Sequence, residues 1–230
     1  MSAIRLGTRA STLATTQSEM VARLLRSEGL DVDLTTITTH GDTSTASLAA
    51  MGGIGVFASA IRATLLKGEA DIAVHSFKDL PTGRPLGLAI GAVPARADPR
   101  DALVARDGLT LHDLPQEASV GTGSPRRAAQ LLAVRPDLTI VDIRGNVDTR
   151  LGRVKGLGHY AKGGGKEDLD AVVLAASGLA RLGHSGAVTE FLDPSVVLPA
   201  PAQGALAVEC RTADSRHGKL AKALASSERS

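Results

Sequence analysis

Short apolar runs and longer amphipathic stretches alternate along the chain. Residues 4–7 read as a strand, and Ser11 then stands where an N-cap opens a helix reaching to about Glu28. Residues 32–39, rich in β-branched side chains at period two, predict a second strand. A helical period covers 56–67, a buried strand follows at 71–75, and another apolar strand lies at 88–93. After Pro94 the charged stretch ARADPRD (95–101) breaks the alternation and predicts a crossing between two lobes. The pattern restarts with strands at 102–105, 118–121, 138–143 and 169–174 and a helix at 125–134. Ser177 is the expected cap of a helix through Arg181, and GLGHYAKGGGKED (156–168), with no apolar period, predicts a flexible surface loop. A proline-rich second crossing, LPAPAQG (198–204), leads to a strand at 205–209 and a last helix near 215–225. The expectation is an α/β protein with mixed, mostly parallel sheets in two lobes and a cleft between them. Lobe 1 is discontinuous over 1–95 and 203–225, and lobe 2 covers 99–198. No internal repeat is visible in the residues themselves.

Composition narrows the function. A net charge of +2 is too small for a nucleic-acid footprint, and 2% aromatics leave little to stack on bases. The single cysteine, Cys210, forms no internal disulfide, and the N-terminus shows no apolar run suited to a signal peptide. No stretch approaches the ~20 apolar residues of a membrane span. These features predict a soluble, cytoplasmic monomer without nucleic-acid or membrane partners.

Several motifs fail on inspection. GIGVFA (53–58) fits a dinucleotide fingerprint, but no convincing strand precedes it, and Asp71 begins the next strand where an acid should end it. Gly165-Lys166 lacks the upstream glycine and the following hydroxyl of a P-loop. His75 and Ser76 are neighbours on an extended run and point to opposite faces, so this pair is no nucleophile and base. Six histidines and one cysteine show no paired ligand spacing, and no metal site is expected.

The cations say more. In GTGSPRRAAQ (121–130) a strand end runs through a glycine turn to Ser124 as N-cap, Pro125 at the first helical position, then Arg126 and Arg127. A purely structural helix start favours acids in its first turn, whereas cations there reinforce its attraction for anions. TRAS (8–11) repeats the arrangement with Arg9 and Ser11, Arg144 and Arg150 flank another strand end, and Lys78 makes a fourth case. Taken singly, each is a solvated charge. Together, at the strand ends where open α/β sheets bind ligands, they predict an anionic ligand whose carboxylates match guanidinium forks. Asp79 is a lone acid in this basic setting, able to stabilise a cation or exchange a proton with one.

At this point the chain resembles the porphobilinogen deaminase (hydroxymethylbilane synthase) family. The resemblance rests on GTRAS (7–11), GD (41–42), DIAVHSFKDLP (71–81), DPRDA (98–102), VGTGSPRRAAQL (120–131), IRGNVDTRL (143–151), LAASGLARLG (174–183) and LPAPAQGALAVECR (198–211). It implies two lobes of the periplasmic-binding-protein type II kind plus a third domain, which would begin about where this sequence ends, at Ser230. It also implies a transferase of tetrapyrrole synthesis that joins four porphobilinogen molecules into hydroxymethylbilane with release of ammonia. The family builds its linear oligopyrroles on a dipyrromethane cofactor attached to a cysteine of that third domain. Asp79 matches the catalytic aspartate. Arg9, Lys78, Arg126, Arg127, Arg144 and Arg150 match the carboxylate-binding cations, and Ser11, Asp42, His75, Ser76, Thr122, Ser124 and Gln203 fall on matched cleft positions. Cys210 lies in the first lobe's final strand, where a buried thiol is expected and covalent attachment is not. A catalytically silent module that binds pyrroles or other polycarboxylates is the alternative expectation.

Overall fold

The computed structural model describes residues 3–37, 56–83 and 85–213. Asp42, the GIGV portion of the glycine motif and the helix expected near 215–225 lie outside them or carry no described side chains. The chain forms two units, residues 1–97 with 205–230 and residues 98–204.

In the first unit, β1 (Ile4–Arg9) runs into α1 (Thr12–Ser27), whose N-cap Ser11 accepts a hydrogen bond from the Ala14 amide. The helix turns Val21, Ala22 and Leu25 onto Ile4, Leu6, Ile72 and Val74 of the sheet, which is where burial of its apolar stripe drives it. β2 (Val32–Ile37) pairs in parallel with β1. After α2 (Val56–Leu66), β3 (Ile72–Ser76) pairs in parallel with the other side of β1, and β4 (Leu88–Ala92) follows.

The second unit opens with β5 (Asp101–Ala105), then β6 (Ser119–Gly121), α3 (Pro125–Val134), β7 (Thr139–Val141) and α4 (Val147–Leu151). β8 (Ala171–Ala175), α5 (Ala176–Arg181) and β9 (Glu190–Phe191) complete it. The chain then re-enters the first unit as β10 (Leu206–Arg211). The two sheets have the orders β2-β1-β3-β10-β4 and β7-β6-β8-β5-β9. In each, the fourth strand, β10 or β5, runs antiparallel to both neighbours, and the other four strands share a direction. Both sheets therefore have one topology, repeated without a repeat visible in the sequence. Its switch points are the carboxyl ends of β1 and β3 in one unit and of β6 and β8 in the other.

Two local expectations fail. Ser177 does not cap α5; Ala175 holds that position without a side-chain bond, and Ser177 is buried inside the helix. Strand β8 runs on for one residue beyond the expected end and the helix starts at once, leaving no room for a capping serine. The 156–168 segment is an ordered loop with its own bonds. Glu167 accepts from the Gly158 amide at 2.7 Å, Gly165 N donates to Gly158 O at 3.0 Å, and Val154 bridges to Leu169. A Cβ on Gly165 would overlap the Gly152 carbonyl, so this glycine permits a close backbone approach.

Candidate active site

In the first unit the end of β3 passes into a single 3-10 turn, Phe77–Asp79, and Pro81 then blocks any longer helix. The Phe77 amide donates to Ala205 O at 3.1 Å, which ties the turn to the chain entering β10. Beside the turn, Arg9, Gln17, His75, Ser76 and Asp79 line a pocket floored by Val74. Asp79 reaches solvent, and no hydrogen bond from the described residues meets its carboxylate. Burial pushes that carboxyl above its ordinary range, while the charges of Lys78, Arg9 and His75 pull it back down. A carboxylate held this way gains by meeting a cation.

Two buried side chains that the sequence reading passed over set this pocket. Gln17 of α1 donates to Ser76 Oγ at 3.0 Å and fixes that hydroxyl. Behind the pocket Glu209 of β10, 1% exposed, accepts from Arg62 Nε at 3.0 and 3.1 Å, and its Oε2 lies 3.2 Å from His75 Nε2. Burial raises the Glu209 carboxyl, but hydrogen bonds from His75 and Arg62 outweigh burial and hold it below its ordinary range.

In the second unit Ser124 caps α3 by accepting from the Arg127 amide, and its own amide donates to Thr122 Oγ1 at 3.2 Å. Gly123 has no space for a side chain, since a Cβ would come within 2.7 Å of Ile143 O. The expected carboxylate-binding cations Arg126 and Arg127, with the matched cleft residue Gln203, converge on one fully buried carboxylate, Asp101. Arg126 Nη2 and Arg127 Nη2 each donate to it at 2.7 Å, as does Gln203 Nε2. Two guanidiniums against one carboxylate leave a positive charge over, and the Arg127 Nε atom is buried without a hydrogen-bond partner among the described residues.

Arg144 follows β7 and Arg150 lies inside α4, its Nε donating to Gly145 O at 2.8 Å. Burial first, then the charges of Arg127 and Arg144, disfavour the charged form of Arg150, against a weaker opposing pull from Asp142. Burial and neighbouring positive charge thus act in the same direction on Arg150. Arg181 of α5, which the sequence reading took only as the end of a helix, is a further partly buried cation of this unit. Its Nη2 donates to Gly204 O at 2.6 Å, its Nε is buried without a hydrogen-bond partner among the described residues, and burial disfavours its charge. Among the described residues no group of three or more metal-ligating side chains comes together, and no helix is long and apolar enough to cross a membrane.

Cys210 sits in β10 at 1% exposure inside the first unit's core, with Sγ 3.9 Å from Ala89 O. A thiol packed there presents nothing to a reagent, so native chain is expected to resist iodoacetamide and react only after denaturation. Rapid alkylation of the native chain, followed by intact mass, would contradict this burial.

The comparisons with known proteins agree with one another. The family model described as porphobilinogen deaminase, dipyromethane cofactor binding domain, matches residues 4–219. A porphobilinogen deaminase from Cutibacterium acnes is 97% identical over 225 residues, covering 98% of this chain and 67% of that protein. One from Micrococcus luteus is 59% identical, covering 93% of this chain and 59% of that protein. The chain thus spans about three fifths to two thirds of the length of these relatives. In fold it is similar to a periplasmic substrate-binding protein of an ABC transporter from Coxiella burnetii, with TM-score 0.56, 17% identity and coverage of 96% and 92% of the two chains. A nutrient-binding protein from Burkholderia cenocepacia gives TM-score 0.56 at 15% identity, covering 96% and 91%. The architecture is therefore of the periplasmic-binding-protein type II kind. Matched over nearly its whole length by the family model and by close relatives, the chain belongs to the porphobilinogen deaminase family.

Proposed function

We propose that this chain carries the catalytic and substrate-binding portion of an enzyme that condenses four porphobilinogen molecules into hydroxymethylbilane, releasing one ammonia at each step. The observation that carries the reading is Asp79, a raised carboxylate open to a pocket and flanked by Lys78 and Arg9. Departure of an amine from an aminomethylpyrrole leaves positive charge on the ring, shared with its nitrogen. A fixed carboxylate that no hydrogen-bond donor meets among the described residues stabilises that charge most when it develops, which lowers the barrier rather than the ground state. The substrate's acetate and propionate groups need cations: Arg9 and Lys78 in the first unit, and Arg127, Arg144, Arg150 and Arg181 in the second. Ser11, Ser76, Thr122 and Ser124 supply neutral donors beside them. Arg126 and Gln203 act through Asp101, holding Arg127 in place.

Arg150 and Arg181, whose charged forms burial disfavours, suit the acidic side chains of a dipyrromethane, which supplies the primer to which substrate units are added. The buried Cys210 does not suit its covalent attachment. We place the protein in the cytoplasm as a monomer acting on a small molecule, without nucleic-acid or membrane partners.

The experiment is calorimetric titration of the purified chain with porphobilinogen, with ammonia release and denaturing intact mass followed on the same sample. Saturable binding, with no mass gain on Cys210, is expected. Absence of any binding would overturn the reading, and a gain of pyrrole units lost in Cys210→Ser would overturn the assignment of that thiol as structural.

A further inference from the structure

Arg150 sits on a short helix, α4, with the positive charges of Arg127 and Arg144 acting on it. α4 has only five residues, too few to hold itself. Asn146 caps it, accepting from Thr149 N at 2.8 Å, and Leu151 is buried beneath it. Among the described residues one side-chain bond ties α4 to a distant element: His184 Nε2 lies 2.7 Å from Asp148 Oδ1. The facing carboxylate accepts, so Nε2 carries the hydrogen.

His184 is itself rigidly placed. It follows Gly183, whose φ of +77° closes α5, with Gly183 N donating to Ala180 O at 3.1 Å and His184 N to Leu179 O at 2.8 Å. The ring of Tyr160 stands edge-on to the His184 ring, with centroids 5.0 Å apart. The imidazole is thus locked to the end of the helix that carries Arg181, and it reaches across to the helix that carries Arg150.

We infer that His184 is a positioning residue: through Asp148 it fixes α4 to the end of α5, so that Arg150 and Arg181 keep one spacing and present a preformed carboxylate-binding set. The inference rests on the reading of these guanidiniums as carboxylate binders. Preorganisation of this kind acts on affinity by sparing the ligand the cost of ordering its site.

Hydrogen exchange tests the clamp without any ligand. In His184→Leu the amides of Arg150 and Gly152, bonded to Asn146 O and Asp148 O, are expected to exchange about tenfold faster. The amide of Arg135, bonded to Leu131 O at the end of α3, should stay as it was. His184→Gln, whose amide can reach Asp148, should restore protection. Titration with porphobilinogen should show roughly fivefold weaker binding in His184→Leu, recovery in His184→Gln, and no additional loss when Asp148→Ala is combined with His184→Ala. Unchanged exchange at Arg150 and Gly152, faster exchange throughout the second unit, or additive losses in the double variant would each overturn the inference. Should the wild-type chain bind no porphobilinogen, the functional reading falls, and the exchange measurements still decide the clamp.

Discussion

Replacing Asp79 with asparagine is expected to cut porphobilinogen turnover by about a thousandfold while leaving the fold as stable as before or more so. Asparagine keeps the shape and one acceptor but cannot carry the negative charge that a developing pyrrole cation needs. The cations that hold the substrate's carboxylates are untouched, so KM should change little and the loss should fall on kcat. Stability supplies the control. Burial raises the Asp79 carboxyl above its ordinary 3.8, so at neutral pH the folded protein holds an ionised group at a cost. Asparagine removes that cost at neutral pH. The difference should shrink as the pH falls through the carboxyl's range, where the wild-type group is neutral as well. Parallel assays of ammonia release and thermal midpoint check both halves. A variant that keeps most of its turnover, or one that loses turnover by melting, would remove Asp79 from the chemistry.

Much of this architecture was legible in the chain because each signal was local. Ser11 and Ser124 announce helix starts by side-chain chemistry, and both caps form. Pro125 fixes the first turn of α3 at the expected residue, and the apolar period of 125–134 sets its length. What stayed hidden depends on partners distant in sequence. Asp101 is one acid among many until β5 places it against Arg126, Arg127 and Gln203, up to 102 residues away. Gln17 and Glu209 did leave a trace: each is a polar residue inside an apolar period, Gln17 on the stripe with Val21 and Leu25, Glu209 within ALAVEC. Arg181 leaves the same trace in LAASGLARLG. A polar or charged side chain inside an apolar period demands a partner or a ligand, and that rule would have singled out all three. The 156–168 loop misled for a related reason. Its Gly165 serves close packing against Gly152, a contact that composition cannot distinguish from flexibility.

The second large effect belongs to Asp101. Asp101→Ala should destabilise the second unit by about 3–5 kcal/mol, because it leaves Arg127 buried without its carboxylate. Arg127 is 7% exposed, and its remaining side-chain acceptor is Val173 O at 3.2 Å. Arg126, with more access to water, loses less. Asp101→Asn separates charge from shape. It keeps a neutral acceptor for Gln203 and one guanidinium, so its loss at neutral pH should be smaller than alanine's. Burial favours protonation of Asp101, but the hydrogen bonds and charge of Arg127, with help from Arg126 and Gln203, hold the carboxyl below 3.8. A depressed carboxyl contributes stability that is fully present above its unfolded value and lost as the pH falls through its folded one. The gap between wild type and Asp101→Asn in denaturant melts should therefore be widest near neutrality and close in acid. The same substitutions should weaken porphobilinogen binding, since Arg127 loses the partner that orients it. If Asp101→Asn melts like the wild type at neutral pH, the arginines are held by something other than this carboxylate. A gap that instead widened toward acid would reverse the sign of the argument and with it the role of Asp101 as the buried counter-charge of the site.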